Sequence, residues 1–185
     1  MILLVFALVG LVIALIRGGS IAQLARVHLR LGWLALLAVG LQLLIFSGWW
    51  TGSSFADWTP ILYSVSLFLL VVMVGVNWQI PGMLVIGLGL LCNALAITMN
   101  GGRMPASLEA LRVAGLQSVI LKAGVLGAST NSVLLGPESR VPWLCDIFAL
   151  PSWVPLATVF SVGDVLIAIG AAWFFIGAMK PKLRS

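Results

Sequence analysis

Residues 160–178, FSVGDVLIAIGAAWFFIGA, place an acidic residue directly before a run apolar enough to enter a bilayer. From Val165 to the end of the quoted stretch no side chain is charged. Gly170 and Gly177 are seven positions apart and therefore share one helix face, where small residues let membrane helices approach closely. The stretch predicts a membrane-spanning helix whose first turn carries Asp164.

The composition extends this prediction to the whole chain. Of its 185 residues, 62% are hydrophobic and only 8% are charged, whereas about a quarter are charged in a typical soluble domain. Because so few polar side chains cannot cover a water-facing surface, we expect lipid to surround the protein. The net charge of +5 would suggest a nucleic-acid partner in a soluble protein. Here the basic residues lie near the ends of apolar runs, which favours membrane topology and no nucleic acid.

Five apolar segments are candidates for spanning helices, each slightly under the ~20 residues of a full crossing. They cover residues 1–16, 31–50, 60–77, 82–99 and 158–179. We therefore predict an all-α fold: an integral membrane helical bundle of about five transmembrane helices, forming one domain over residues 1–185.

The distribution of charge predicts the orientation of this bundle. Six of the ten basic residues fall in the first loop or the C-terminal tail, at Arg17, Arg26, Arg30, Lys180, Lys182 and Arg184. Since positive residues favour the cytoplasmic side, the N-terminus is expected outside and the C-terminus in the cytoplasm. The acidic residues then all lie at or near the outer side: Asp57, Glu109, Glu138, Asp146 and Asp164.

The outer segment, residues 100–157, is the long non-spanning part of the chain. Its stretch ASLEALRVAGLQSVILKAG, residues 106–124, mixes apolar and charged residues at helical spacing. This pattern predicts a helix lying along the outer membrane interface, or one packed against the spans with its polar side in water. Gly136 and Pro137 predict a break, and residues 143–156 are apolar again and are expected to press against the membrane.

Most familiar chemical motifs are missing from the sequence. There is neither zinc-ligand spacing nor a glycine loop for phosphate, so no metal is predicted and any cofactor is left open. Cys92 and Cys145 lack metal or redox spacing and are predicted to be unbridged packing residues. His28, the single histidine, lies among arginines and is not a preferred candidate.

Asp146 and Asp164 are the candidate catalytic residues. They are 18 positions apart and are joined by a proline-containing turn that could bring their carboxyls together. Of two close carboxyls in a poorly solvated site, one keeps a proton while the other can activate water. The structural alternatives are an S-x-x-D cap formed by Ser161 and Asp164, and pairing of Asp146 with Arg140 or Arg103.

A second candidate site is NGGRMP, residues 100–105, at the outer end of the fourth span. Arg103 offers a planar fork for a carboxylate or a lipid phosphate, and it could face the acidic residues across one outer pocket. The alternative is a helix stop made of Asn, Gly and Pro. The polar residues proposed for binding at this pocket are Asn100, Arg103, Asn131 and Arg140.

Over most of its length the chain resembles a family of bacterial multi-pass proteins with a domain of unknown function. The resemblance is carried by NGGRMP and FSVGDVLIAIG. It implies a helical membrane fold in the bacterial inner (plasma) membrane and no particular activity.

CDIF, residues 145–148, followed by FSVGDVLIAIG resembles the C-terminal part of lipoprotein signal peptidases. In that family an Asp-Phe or Asp-Ile segment precedes a Phe-Asn-x-Ala-Asp helix start, and the two aspartates form the catalytic dyad. The resemblance implies a dyad of Asp146 and Asp164 here. Ser161 and Gly163 replace the Asn and Ala of the motif, and the family's Gly-Asn-x-x-Asp-Arg element has no counterpart.

Two functions from different classes follow. The leading hypothesis is a non-catalytic accessory or structural subunit that packs against partner proteins, lipid or an apolar cofactor, because the spans hold few polar residues and many packing glycines. The alternative is an outer-face intramembrane aspartyl peptidase, so whether the protein is an enzyme stays open. A third hypothesis is binding or transport of a lipid-linked substrate, with Arg103 holding a phosphate.

Overall fold

The computed structural model describes residues 2–116 and 132–179 of the chain. Over these residues the fold is mostly helical, with two short 3-10 turns at Ala56–Trp58 and Pro142–Leu144. The α-helices are α1 (Ile2–Ile16), α2 (Ile21–Leu24), α3 (Trp33–Ile45), α4 (Gly48–Thr51), α5 (Thr59–Val76), α6 (Met83–Met99), α7 (Leu108–Val113) and α8 (Val162–Ala178). The strands are β1 (Met104–Ala106), β2 (Ser132–Leu134), β3 (Phe148–Ala149) and β4 (Val159–Phe160).

Long apolar helices lie at all five segments where spans were predicted. One helical segment, Ala56–Val76, is long and apolar enough to cross a membrane, and the four other apolar helices have 10–17 residues. A helix of 17 residues is about 26 Å long, against about 30 Å for the hydrocarbon core. The helical positions are therefore confirmed, but five spans are not.

The structure differs from the predicted all-α fold in its outer segment, where the short strands lie. β1 and β2 pair in parallel, and β3 and β4 pair in an antiparallel hairpin. The last helix begins at Val162 rather than at residue 158, because Val159 and Phe160 belong to β4. The second predicted span, 31–50, is also divided: α3 ends at Ile45, and Ser47 caps the separate turn α4.

α8 lies at the centre of the helix packing. It packs against α1 and α6; α6 also packs against α5, and α5 against α3. The predicted close approach of Gly170 and Gly177 is confirmed. A Cβ atom on Gly170 would lie 2.7 Å from the Ile86 nitrogen, and one on Gly177 would lie 2.5 Å from the Pro81 Cβ.

The buried core joins the outer segment to the helices. One of its clusters contains Leu67 of α5, Ala96 and Ile97 of α6, and Met104 of β1. Met104 is 5% exposed and therefore attaches the first strand to α5 and to the last turns of α6. This attachment gives the outer segment a fixed position relative to the start of α8.

The predicted interfacial helix is only partly within the described residues. α7 begins after Ser107, whose hydroxyl accepts the Ala110 N–H, and Leu111 is buried. The rest of the predicted helix, from residue 117, lies outside the described residues. The break predicted at Gly136 and Pro137 is confirmed by a turn in which the Ser139 N–H donates to the Gly136 carbonyl.

Candidate functional site

The β3–β4 hairpin brings the segments that carry the two candidate aspartates together. Phe148 pairs with Phe160 and Ala149 pairs with Val159, and the rings of Phe148 and Phe160 stack with centroids 5.6 Å apart. Asp146 lies two residues before the hairpin begins, and Asp164 lies four residues after the hairpin ends. The predicted return of the chain is therefore present.

The backbone of Asp146 is fixed by β1. Its N–H donates to the Pro105 carbonyl at 2.9 Å, and its carbonyl accepts the Ser107 N–H at 2.9 Å. Asp146 thus forms a parallel bridge with Ala106 on the side of β1 opposite β2. This pairing fixes the backbone from which the Asp146 side chain extends, although the residue lies in a loop.

The carboxyl of Asp146 is poorly solvated, and one of its oxygens has no partner among the described residues. Its Oδ1 atom is buried and has no hydrogen-bond partner there. Burial, and secondarily the charge of Asp164, raise the pKa of Asp146 to about 7. The alternative that Asp146 pairs with Arg140 or Arg103 is therefore wrong for the described part of the chain, since a guanidinium partner would lower this pKa.

Asp164 occupies the cap position predicted for it. The Ser161 hydroxyl accepts the Asp164 N–H at 3.0 Å, and the Ser161 N–H donates to Asp164 Oδ2 at 3.0 Å. These two bonds form a complete capping box at the start of α8. The structural role is confirmed, but it engages only one of the two carboxyl oxygens.

Asn93 of α6 is the site residue that the sequence analysis missed. Its Nδ2 donates to Asp164 Oδ1 at 2.9 Å, and its Oδ1 accepts the Ser161 hydroxyl at 2.8 Å. A Cβ atom on Gly163 would collide with the Asn93 Oδ1 atom. A single amide within an otherwise apolar helix was the signal that could have identified Asn93, because polar side chains are costly in such helices.

Asn100 and Arg140, both predicted to bind a ligand, are brought together through the Arg140 backbone. Asn100 Oδ1 accepts the Arg140 N–H at 2.8 Å, and Asn100 Nδ2 donates to the Arg140 carbonyl at 2.9 Å. The amide of Asn100 therefore fastens the outer loop to the end of α6. The Arg140 side chain is exposed.

NGGRMP ends α6, as the structural alternative proposed. The helix stops at Met99, and the Gly102 N–H donates to the Ile97 carbonyl at 2.8 Å. Gly102 has a φ of 78° and lies against Pro60, so both its backbone angle and its surroundings favour glycine.

The remaining predicted binding residues are Arg103 and Asn131. Arg103 is half-buried and is paired with neither aspartate in the described part of the chain. That Arg103 faces the acidic residues across one pocket stays a prediction. Asn131 lies outside the described residues.

The described residues hold no cluster of three metal-ligating side chains. Cys92 and Cys145 are both unbridged, as predicted. Cys145 is buried beside the site, and burial together with the charge of Asp146 raises its thiol pKa. The chemistry that this site offers is thus that of two carboxyls and an amide.

The fold and site define a mostly helical protein with two neighbouring aspartates where a short-stranded segment meets a long apolar helix. The chain belongs to DUF5317, a family of unknown function, which matches residues 26–176. A protein of Thermotoga maritima described as uncharacterized is 26% identical over 130 residues, which cover 69% of each chain. No solved structure matches the chain.

Proposed function

We propose that this chain is an integral protein of the bacterial inner membrane, with about five spans, an outer N-terminus and a cytoplasmic C-terminus. Its long helices carry large apolar side chains on their outward faces. Leu36 is 77% exposed, Leu43 72% and Phe68 65%. Lipid contact would remove these surfaces from water, which supports the membrane location.

We further propose that the protein is an outer-face aspartyl peptidase that uses Asp146 and Asp164. The observation that carries this proposal is the buried, unpaired Asp146 Oδ1 on a carboxyl whose pKa is raised by burial and by the charge of Asp164. A carboxyl that remains protonated near neutral pH can supply a proton, and a neighbouring carboxylate can accept one from water. The resemblance to lipoprotein signal peptidases names the same two residues independently of this geometry.

The chemistry follows from one shared proton. The ionised carboxyl removes a proton from water as the water oxygen bonds to the peptide carbonyl carbon, and the protonated carboxyl gives its proton to the carbonyl oxygen. When the tetrahedral intermediate collapses, the C–N bond breaks and the leaving nitrogen takes the proton that came from water. A hydroxyl proton of the intermediate passes to the carboxyl that had protonated the carbonyl oxygen. One carboxyl is then protonated and the other ionised, as at the start.

The position of the pair favours a peptide bond near the outer membrane surface. Asp164 begins an apolar helix, while Asp146 is attached to a small strand unit in the outer segment. A substrate anchored by its own apolar span would present its flanking residues at this level. We therefore expect membrane-anchored peptides to be the substrates.

The test uses the purified chain in bicelles with a library of synthetic single-span peptides, analysed by mass spectrometry. Cleavage is expected for the wild type and for Asp57→Asn, which alters the aspartate outside the site. Asp146→Asn and Asp164→Asn should each abolish it while keeping the wild-type elution volume. Equal cleavage by all four proteins, or none by the wild type, would contradict the proposal.

A non-catalytic accessory role is the second candidate, and the surface of α3 favours it. α3 packs against α5 and the short α4, and its other side exposes Trp33, Leu36 and Leu43. This role requires a partner chain or an apolar cofactor to extract together with the protein in mild detergent. Recovery of a stable lone monomer without a bound chain or pigment would contradict it.

A further inference from the structure

The Asn93 amide connects α6 to the first turn of α8 through both of its polar atoms. Nδ2 donates to Asp164 Oδ1 at 2.9 Å, while Oδ1 accepts the Ser161 hydroxyl at 2.8 Å. The same hydroxyl accepts the backbone N–H of Asp164, so the Asn93 and Ser161 side chains and Asp164, through its carboxyl and its backbone, form a closed ring of hydrogen bonds. Ser161 is fully buried, which shields the ring from competing water.

Capping of α8 does not account for Asn93. The capping box already satisfies the backbone at the helix start through Ser161 and Asp164 alone. Gly163 leaves the space that the Asn93 Oδ1 atom occupies, and this spacing brings α6 and α8 into backbone contact at Gly89. Ser161, Gly163 and Asp164 of the SVGD stretch therefore all contribute to the contact with Asn93. One of the hydrogen bonds in this contact is accepted by a carboxyl oxygen of Asp164.

The consequence is an asymmetry between the two aspartates. Both oxygens of Asp164 accept hydrogen bonds from N–H donors, whereas Asp146 Oδ1 is buried without a donor among the described residues. Donors directed at both oxygens favour the carboxylate form, and an unpaired buried oxygen favours the neutral acid. The geometry thus decides which member of the pair carries the shared proton.

We propose that Asn93 is a positioning residue that holds Asp164 as the ionised, water-activating member and leaves Asp146 as the proton donor. This assignment rests on the proposed peptidase function, which it deepens. Asn93 acts through Asp164 and does not itself touch the substrate.

Other charges do not compete with this arrangement among the described neighbours of α8. α1, α2 and the turn Pro142–Leu144 contain no titratable side chain, and α6 contains only Cys92. The charge of Asp164 acts on Asp146, and the charge of Asp146 acts on Cys145 beside it. A single substitution of Asn93 can therefore remove one donor to the Asp164 carboxyl without changing a charged group.

The experiment measures the protonation of each carboxyl directly. The chain contains three aspartates, Asp57, Asp146 and Asp164, so selective carbon-13 labelling of aspartate carboxyls gives three signals that Asn substitutions assign. Slightly below the Asp146 pKa of about 7, the wild type should show a protonated Asp146, whereas Asp164 should give the carboxylate signal that its two N–H donors favour. In Asn93→Leu the proton should move toward Asp164, and the Asp146 signal should move toward its ionised position.

Two further variants keep the test decisive. Asn93→Ser removes the donor without adding bulk and should give the same redistribution if Asn93→Leu fails to fold. Gln42→Leu removes another interhelical side-chain bond, from Gln42 Nε2 to Ser66 Oγ at 3.0 Å, and should leave all three signals unchanged. Unchanged signals in the folded Asn93 variants, or a protonated Asp164 in the wild type, would overturn the proposal.

Activity separates this inference from the function on which it rests. With a peptide that the wild type cleaves, Asn93→Ser should lower kcat about tenfold at unchanged KM, as expected for loss of one donor to a charged group. A wild type that shows the expected carboxyl signals but cleaves nothing would contradict the peptidase function alone. If the wild type cleaves the peptide but the carboxyl signals of Asn93→Ser equal those of the wild type, only the role of Asn93 would be contradicted.

Discussion

Asp146 and Asp164 are chemically identical residues whose different surroundings give them different properties. Asp164 meets two N–H donors, from Ser161 and Asn93, while one oxygen of Asp146 is buried without any among the described residues. A carboxylate is stabilised by donors and destabilised by loss of water. The surroundings of the two carboxyls therefore differ in the way that acid–base catalysis needs, one favouring the neutral acid and the other the carboxylate. This difference comes from the protein around them and not from the residue type.

The raised pKa of Asp146 predicts that the stability of the protein depends on pH. The unfolded carboxyl titrates near its ordinary value of 3.8, while in the folded protein the pKa is about 7. Between these values the folded state binds more protons, so the free energy of unfolding falls as pH rises. Asp146→Asn should therefore have a larger free energy of unfolding than the wild type at pH 8, by up to about 4 kcal/mol, and should unfold at a higher temperature.

Thermal unfolding in one detergent, followed by tryptophan fluorescence, would measure this difference. The advantage of Asp146→Asn should shrink as the pH is lowered and disappear below the ordinary aspartate value. Asp57→Asn serves as the control, with no comparable pH-dependent gain. A lower unfolding temperature for Asp146→Asn at pH 8 would show that ionised Asp146 makes a favourable contact.

Peptide cleavage should depend on the same titration. If Asp146 supplies the proton, activity is retained below its pKa of about 7 and lost as the pH rises through that value. The measurement is kcat against pH for a cleaved peptide, with a descending limb near neutrality. A rate that stays constant well above pH 7 would exclude Asp146 as the acid.

At the scale of elements, the contact between α6 and α8 depends on glycine. A Cβ atom on Gly163 would collide with Asn93 and lie 2.7 Å from the Gly89 carbonyl oxygen. We expect Gly163→Ala to push the helices apart, to destabilise the fold by about 2 kcal/mol, and to weaken the Asn93 bond to Asp164. Unfolding temperature and cleavage rate should both fall.

Gly40 of α3 provides the matched control for this substitution. A Cβ atom on Gly40 would meet nothing within 4 Å, so Gly40→Ala should be neutral or stabilise α3 by about 0.5 kcal/mol. Cleavage should be unaffected. Equal effects of the two substitutions would show that the close approach of α6 and α8 is not what Gly163 provides.

The helices could be predicted from the sequence because each long apolar run specifies one locally. The Ser161–Asp164 cap was predictable for the same reason. The pairing of Asp146 with Ala106 spans 40 positions, and the strands have only two or three residues, so no local pattern marks them. The partnership of Asn93 with Asp164 is likewise non-local, and therefore the acidic pair was predictable while the group that distinguishes its members was not.

At the scale of the molecule, the long helices pack in the order α1, α8, α6, α5, α3. The acidic site lies where α8 begins and the outer segment is attached to α6. The proposed peptidase function requires that this end of the helices faces outward. The orientation proposed from the basic residues makes that requirement testable without a substrate.

Single cysteines in a chain carrying Cys92→Ala and Cys145→Ala would determine the orientation. Glu138→Cys lies in the outer segment, and Gln79→Cys lies between α5 and α6; both positions are exposed. An impermeant maleimide should label Glu138→Cys on intact cells, and Gln79→Cys only after the membrane is opened, because the two positions lie at opposite ends of α6. Labelling of Gln79→Cys on intact cells with protection of Glu138→Cys would place the aspartates on the cytoplasmic side, where an outer-face peptidase could not use them.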